Sequence, residues 1–302
     1  MIIGHLFRKA KMDDGTLVKK SQFREAWDRL KVSPRAMISL GFIVFMVLVA
    51  IFADVLADYQ STCVTQHLAE KLQGPSAAHI LGTDEVGRDL FGRVVHGSRV
   101  ALEIGFGTTA VALLIGIVLG CTSAFYGKWV DNLIMRITDV LSTIPPLVLA
   151  MAIVAGLGNG VPQLMVAVGA GQVSEFVRLI RAKGLSVANM EFIESGRALG
   201  ARNTRLIFKY LLPNVVSVVL IQGTVAVARA ILTGATLSFI GLGVQSPTPE
   251  WGAMLQNAVN YIQLKPYQIV VPGVALVLTS MSINTFGDCL RDALDPQLKG
   301  KH

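Results

Sequence analysis

Charge is scarce in this 302-residue chain: 16% of its residues are Asp, Glu, Lys or Arg, against 52% apolar. A soluble domain carries about a quarter charged residues, and here the deficit falls in long stretches with almost no charge. That excludes an ordinary soluble protein and points to an integral membrane protein, where each helical span needs roughly 20 mainly apolar residues. Cysteine is scarce as well. Cys63, Cys121 and Cys289 are odd in number, far apart and without metal-ligand spacing, which argues against a disulfide framework or a thiolate metal site. His79 and His96 stand alone, and no metal site is expected on them. The chain has no Gly-rich phosphate loop and no internal repeat, so it carries no motif that binds ATP. No cleavable leader is expected either, because the first 35 residues are polar and basic and the first apolar run comes too late.

What is present is a regular succession of apolar runs. Six spans are predicted, at about residues 36–56, 100–125, 133–157, 161–180, 215–240 and 269–290. Gly116-x3-Gly120 in the second permits close helix approach. The net charge of +7 does not indicate nucleic acid, because the basic residues sit between the spans. The N-terminal tail 1–35 holds nine Lys and Arg and the segment 178–209 holds seven, against three in 57–98 and one in 241–267. Positive residues mark the cytoplasmic side, so both termini and the 178–209 segment are expected inside. Five regions follow: a cytoplasmic tail 1–35, a first span 36–56, an extracytoplasmic segment 57–99, a five-helix core 100–290 with a cytoplasmic loop 181–213, and a tail 291–302. Within the first, Phe23, Trp27 and Leu30 recur on one helical face beside several basic residues, as in a helix lying on a membrane surface.

The loop Glu194-Ser-Gly-Arg-Ala-Leu-Gly200, then nine residues, then Tyr210-Leu-Leu-Pro213, reads as a polar helix-turn-helix. Gly200 suits a left-handed helix stop, Asn203 or Thr204 is placed to cap a second helix, and Pro213 is expected to end it. Such a hairpin either docks into a partner or merely connects two spans. Charges inside spans are costly and default to functional hypotheses. Asp139 is one turn from Arg136, and Glu175 and Arg178 are i, i+3 neighbours. Arg229 lacks a partner in its own helix, leaving a polar translocation path or a buried pair with Asp139 or Glu175. Pro145-Pro146 breaks or kinks the third span, as a gate hinge or as a static bend. Near the second span, Asp89 and Arg93 are spaced as i, i+4 partners, in a block suited to bracing or to docking an external protein.

The spacing E-x5-G-x9-Y-x-L-P resembles the "EAA" coupling loop of binding-protein-dependent ABC importer permeases, with Glu194, Gly200, Leu212 and Pro213 on its positions. Ser195 and Gly196 stand where two alanines are usual and Tyr210 where isoleucine is usual, while Ala198 lies within the same helix. Gly196 weakens that helix by about 1 kcal/mol relative to Ala. The resemblance extends over nearly the whole chain. His79-Ile-Leu-Gly-Thr-Asp-Glu-Val-Gly-Arg-Asp-Leu-Phe-Gly-Arg93, Met135-Arg136-x2-Asp139, Leu237–Leu255 and the block from Asn284 to Pro296 are similar to those of the "C" member of peptide/nickel-type permease pairs.

That resemblance implies an all-α integral membrane fold of six transmembrane helices, the type I ABC importer permease fold, with a cytoplasmic coupling helix. It implies a multi-pass protein of the bacterial inner membrane, surrounded by lipid. The implied partners are a second homologous permease, two ATP-binding cassette subunits and an extracytoplasmic substrate-binding protein. ATP and Mg would be held by those partner subunits, with no cofactor and no covalent chemistry in this chain. Glu194, Ser195, Gly196, Ala198, Gly200, Leu212 and Pro213 then couple to the ATPase, and Asp139, Pro145, Pro146, Glu175, Arg178 and Arg229 are candidates for the path or gate. Di- or oligopeptides are the expected cargo, with glutathione, nickel or a metallophore as alternatives. An ion-coupled secondary transporter is the reading of another class, and it would call for inverted repeats and a clustered acidic relay.

Overall fold

The computed structural model describes residues 22–294. Most of the 1–35 tail, the tail beyond Leu294 and the Asp295-Pro296 end of the last motif lie outside those residues. The described residues are helical, with one isolated bridge between Thr83 and Asp89 and no strand.

A short helix α1 (Gln22–Val32) leads into α2 (Pro34–Ile51). Ser33 caps α2 through a 3.4 Å bond from the Ala36 N–H, and Pro34 sits in the first turn, where its missing N–H costs nothing. The buried face of α1 is Ala26 and Leu30, whereas Trp27, expected on that face, is 42% exposed beneath the Lys31 ammonium. After α3 (Ala53–Leu56) and an irregular stretch, α4 (Leu90–Leu102) continues through a π-helical turn into α5 (Thr108–Tyr126). Then come α6 (Lys128–Thr143) and α7 (Pro146–Leu157), bent by 91° at the break between them. The third expected span is therefore broken. The reason is local: a proline drives the residue before it out of helical geometry, and two in succession leave Ile144 and Pro145 extended.

The second half holds α8 (Val161–Ala188), α9 (Glu191–Ala198), α10 (Asn203–Leu206), α11 (Leu212–Phe239), α12 (Trp251–Ala258) and α13 (Tyr267–Leu294). By length and apolarity, four stretches are able to cross a membrane: 34–51, 90–126, 203–239 and 267–294, with the bent α6–α7 pair as a fifth. Helix α8 has the length, about 42 Å at 1.5 Å per residue. Its apolar run, however, is interrupted by Gln163, Gln172, Glu175 and Arg178.

Helix α11 organises the packing. Its residues enter three apolar clusters: Val215 and Val219 with Phe125, Phe176 and Ile180; Ala230 and Leu237 with Ile104, Val154 and Leu164; Val227 and Ile231 with Met46, Trp251 and Ile283. The α5–α8 pair is set by small residues. A Cβ on Gly116 would lie 2.5 Å from the Phe176 Cβ, one on Gly120 2.8 Å from the Ile180 Cβ, and one on Gly184 2.7 Å from the Ala124 Cβ. Lipid tails give helices no hydrophobic reason to associate, so close backbone approach of this kind supplies the packing energy instead.

Candidate functional site

Three places gather the residues singled out from the sequence. The first is the hairpin at α9. Helix α8 stops at Asn189, and α9 starts at Glu191 without a side-chain cap. Glu191 and Glu194 in the first turn complement the positive helix end. The far end closes as a Schellman turn: Gly200 has φ +75° and the Ala201 N–H donates to the Gly196 carbonyl at 3.0 Å, the stop expected of that glycine. Glu194, Ser195, Ala198 and Gly200 are exposed, while Ile193 is buried. Gly196 has a packing role beyond its helix cost, because a Cβ there would come within 2.8 Å of Leu206 Cδ2. The Arg197 guanidinium lies 4.8 Å from the centre of the Phe125 ring, which ties the hairpin to α5.

Two local expectations are corrected here. Arg202, not Asn203 or Thr204, precedes α10, and no side chain caps it. Pro213 does not end a helix. A π-helical turn, Ile207–Leu211, joins α10 to α11, and the widened turn accommodates the proline ring in the first turn of α11. Leu212 is half-buried beside it and Pro213 is exposed. Around the hairpin Leu199, Phe208, Met190 and Phe192 are exposed by 88%, 68%, 44% and 40%, an apolar rim on an otherwise charged loop.

The second place is a cavity of about 490 Å³ at the break between α6 and α7, walled by Leu141, Ile144, Pro146, Glu175, Arg178 and Leu179 among others. The charges pair between helices, not locally. Arg178 Nη2 is 3.1 Å from Asp139 Oδ1, where the spacing had suggested Arg136 for Asp139 and Glu175 for Arg178. Glu175 accepts from Arg229 of α11 and, at 2.7 Å, from Gln222 Nε2. Arg229 thus takes one of its two expected partners, but in a half-exposed pair. Both pairs are 40–56% exposed in this chain. Pro145 lies in the break between α6 and α7, flanked by the lining residues Ile144 and Pro146, and is not itself in the cavity wall. A further cross-link was not foreseen: Arg181 of α8 donates to Asp131 of α6 through Nε and, at 2.6 Å, through Nη2, and Ser123 of α5 donates to the same carboxylate. An Asp in a first helical turn carries no sequence signal for an arginine fifty residues on.

The third place is the 79–93 block. Asp89 does not pair with Arg93. It caps α4 by accepting from the Gly92 N–H at 2.9 Å and meets His79 Nδ1 at 2.9 Å. Arg88, 2% exposed, donates to Asp84 at 2.7 Å and across the fold to Ser246 at 2.7 Å. Arg93 reaches Asp84 at 3.5 Å. The Trp251 indole N–H donates to the Val94 carbonyl at 3.1 Å, and the Gln268 amide to the Thr83 carbonyl at 2.9 Å. Glu250 caps α12 with both oxygens, accepting from Gly252 and Ala253 at 3.0 and 2.8 Å, and burial pushes its carboxyl above the usual range. The Arg88–Ser246, Trp251–Val94 and Gln268–Thr83 bonds clasp the 79–93 block, with the adjoining Val94, to the 246–268 region.

Sequence comparisons show which proteins the chain is similar to. The family model for the binding-protein-dependent transport system inner membrane component matches residues 112–300, and that for the N-terminal TM domain of oligopeptide transport permease C matches 21–75. The chain is 42% identical to the dipeptide transport system permease protein DppC of Alkalihalophilus pseudofirmus over 279 residues, covering 92% of this chain and 91% of that protein. It is 38% identical to the glutathione transport system permease protein GsiD of Pectobacterium atrosepticum, covering 93% of each. It is also 38% identical to the di/tripeptide transport system permease protein DppC of Pseudomonas aeruginosa, over 96% of this chain and 97% of that one. Among solved structures, an inward-facing MetNI methionine ABC transporter matches with a TM-score of 0.56 at 19% identity, over 68% of this chain and 97% of that one.

Proposed function

Because this chain belongs to the family of binding-protein-dependent transport system inner membrane components, we propose that it carries di- or oligopeptides inward as one permease of an ATP-driven importer. It is a multi-pass inner-membrane subunit, and ATPase and binding-protein partners follow from the family. The finer reading is ours. Six spans cross the membrane, with α8 as the polar one and the α6–α7 pair as the broken one, and both termini are cytoplasmic. A second homologous permease faces this one across the path, and two ATP-binding cassettes, which hold ATP and Mg, sit beneath.

The observation that carries the reading is the α9 hairpin. It is exposed at Glu194, Ser195 and Ala198 and rimmed by exposed Leu199 and Phe208, yet Gly196, Ile193 and Arg197 fix it from beneath. A short helix presented on a rigid seat is suited to fill a cleft of a motor subunit. A push on it is passed along α8, which the Gly116 and Gly120 contacts lock to α5. Helix α8 carries Glu175 and Arg178 into the cavity, so motion at the hairpin rearranges the path. That is alternating access without covalent chemistry. Peptide as cargo is supported by the relatives named for dipeptides and di/tripeptides; glutathione, itself a small peptide, has the same class of relative behind it.

The test is reconstitution into liposomes with the second permease, the ATPases and the binding protein. Labelled dipeptide is expected to accumulate only with ATP and the full set of subunits. Accumulation by this chain alone, driven by an ion gradient, would replace this reading with the secondary-transporter one.

A further inference from the structure

Two of the four half-exposed charges line the cavity and two do not. Glu175 and Arg178 project into it from α8, while Arg229 and Asp139 hold them from α11 and α6 without entering its wall. The wall therefore presents one carboxylate and one guanidinium a single helical turn apart, at positions whose Cβ atoms lie about 5–6 Å from each other. Around them it is apolar, with Leu141, Ile144, Pro146 and Leu179. The nearby hydroxyls of Ser142 and Ser174 are spent on carbonyls of their own helices, Thr138 and Gly171. Glu175 and Arg178 are thus the charged groups the cavity offers a ligand among the described residues.

We propose that Glu175 and Arg178 form a specificity pair that reads a zwitterion, Glu175 taking the ammonium end of the cargo and Arg178 its carboxylate. The proposal rests on the reading of this chain as a peptide permease. A two-residue peptide spans about 7 Å from end to end, which matches two side chains diverging from neighbouring turns. The cavity, at about 490 Å³, lies within the roughly 300–1,000 Å³ typical of small-ligand sites. Net charge is conserved in the exchange, because each cavity charge trades a helix-borne partner for a ligand end of the same sign. Bare charge at membrane depth is costly, and the groups released, Arg229 and Asp139, are 49% and 56% exposed in this chain. Arg178 can meet a carboxylate with two parallel N–H bonds, against the single Nη2 contact it makes with Asp139. The trade has a mechanical side. Releasing Arg229 and Asp139 removes one of the polar ties from α8 to α11 and one of those to α6, leaving Gln222–Glu175 and Arg181–Asp131 in place, so an occupied cavity holds α8 less tightly than an empty one.

The experiment measures binding of alanyl-alanine, its N-acetyl derivative and its C-terminal amide to the purified permease–ATPase complex, without binding protein. Wild type is expected to bind both capped forms at least about tenfold more weakly, as loss of one charge-assisted hydrogen bond implies. Glu175→Gln is expected to erase the discrimination against the N-acetyl form while keeping that against the amide, and Arg178→Gln to do the reverse. Co-purification of all subunits establishes that each variant assembles; if one does not, Glu175→Asp or Arg178→Lys is expected to shift the same ratio partway. Equal affinity for the three ligands, or variants that weaken all three alike, would overturn the pair. ATP-driven uptake of alanyl-alanine by the same complex with its binding protein separates the two levels. Uptake without end-selective binding sinks the pair alone, whereas absence of uptake sinks the peptide reading beneath it.

Discussion

Replacing Gly116 by alanine tests the packing on which force transmission through α8 depends. The added Cβ would stand 2.5 Å from the Phe176 Cβ, with the Phe176 carbonyl carbon and Cα at 3.4 and 3.5 Å. None of these atoms is the tip of a flexible side chain, so relief requires the two helices to separate. Overpacking costs about 1–3 kcal/mol, and a contact with atoms this stiff belongs at the upper end. Helix propensity opposes it by about 1 kcal/mol, leaving a net loss of about 2 kcal/mol. Gly41, mid-way along α2 with nothing within 4 Å of its would-be Cβ, is the control, where alanine brings only the propensity gain. The assay is thermal unfolding of the purified complex followed by tryptophan fluorescence. At about 2–4 °C per kcal/mol, Gly116→Ala is expected to lower the midpoint by about 4–8 °C while Gly41→Ala leaves it level or raises it. A second comparison sharpens the test. Phe176→Ala retains the offending Cβ, so the cost of adding Gly116→Ala is expected to persist in that background. Phe176→Gly removes it and is expected to shrink that increment, although losing the buried ring is itself destabilising. A Gly116→Ala protein as stable as Gly41→Ala, or a rescue by Phe176→Ala, would refute the contact.

At the hairpin, Gly200→Val forces a β-branched residue to φ +75°, a strain of at least about 1–2 kcal/mol; membrane insertion should persist while ATPase stimulation by loaded binding protein is lost, and normal stimulation would count against the docking role. Glu194→Lys reverses a first-turn charge on an exposed face and is expected to uncouple in the same assay while lowering the unfolding midpoint by no more than about 4 °C, the size of a lost helix-dipole contact. Arg229→Leu removes one of the two donors to Glu175 and should impair uptake; unchanged uptake would mark the arginine as dispensable. For Glu250, burial raises the folded pKa above the unfolded one, so the folded state holds the proton more tightly and stability drains as pH rises through the folded value. Wild type should therefore gain stability relative to Glu250→Gln as pH falls from about 7 toward the unfolded carboxylate range near 4.3, and a midpoint difference that stays flat would contradict the burial.

The apolar runs made the long helices legible because each is about the length a helical span needs and poor in charge. Gly200 was legible as a helix stop because a glycine just beyond a helical segment has few other uses. The partners of the charges were not. Glu175 and Arg178 sit at a spacing that offers each to the other, and nothing in the sequence says that Asp139, 39 residues away, and Arg229, 54 residues away, win instead. The outcome depends on helix rotation, which the glycines of the α5–α8 contact set and a one-dimensional pattern does not contain. The Pro145-Pro146 pair announced a break but not an angle of 91°, since the angle is fixed by how α7 packs on α8. Asp89, expected to pair with Arg93, caps α4 instead, because the first turn of that helix leaves its N–H groups without partners.

The clasp between the 79–93 block and the far half of the chain sets an order of events during synthesis. Arg88 finds Ser246 only 158 residues later, and Val94 waits 157 residues for Trp251. Since a chain emerges from its N-terminus, two arginines that end up 2% exposed must stay solvated outside any core while four further long helices are made. The polar, glycine-rich character of that block keeps it in water through the delay. A chain cut short before residue 246 would lack both Ser246 and Trp251, leaving the Arg88 guanidinium and the Val94 carbonyl without those partners.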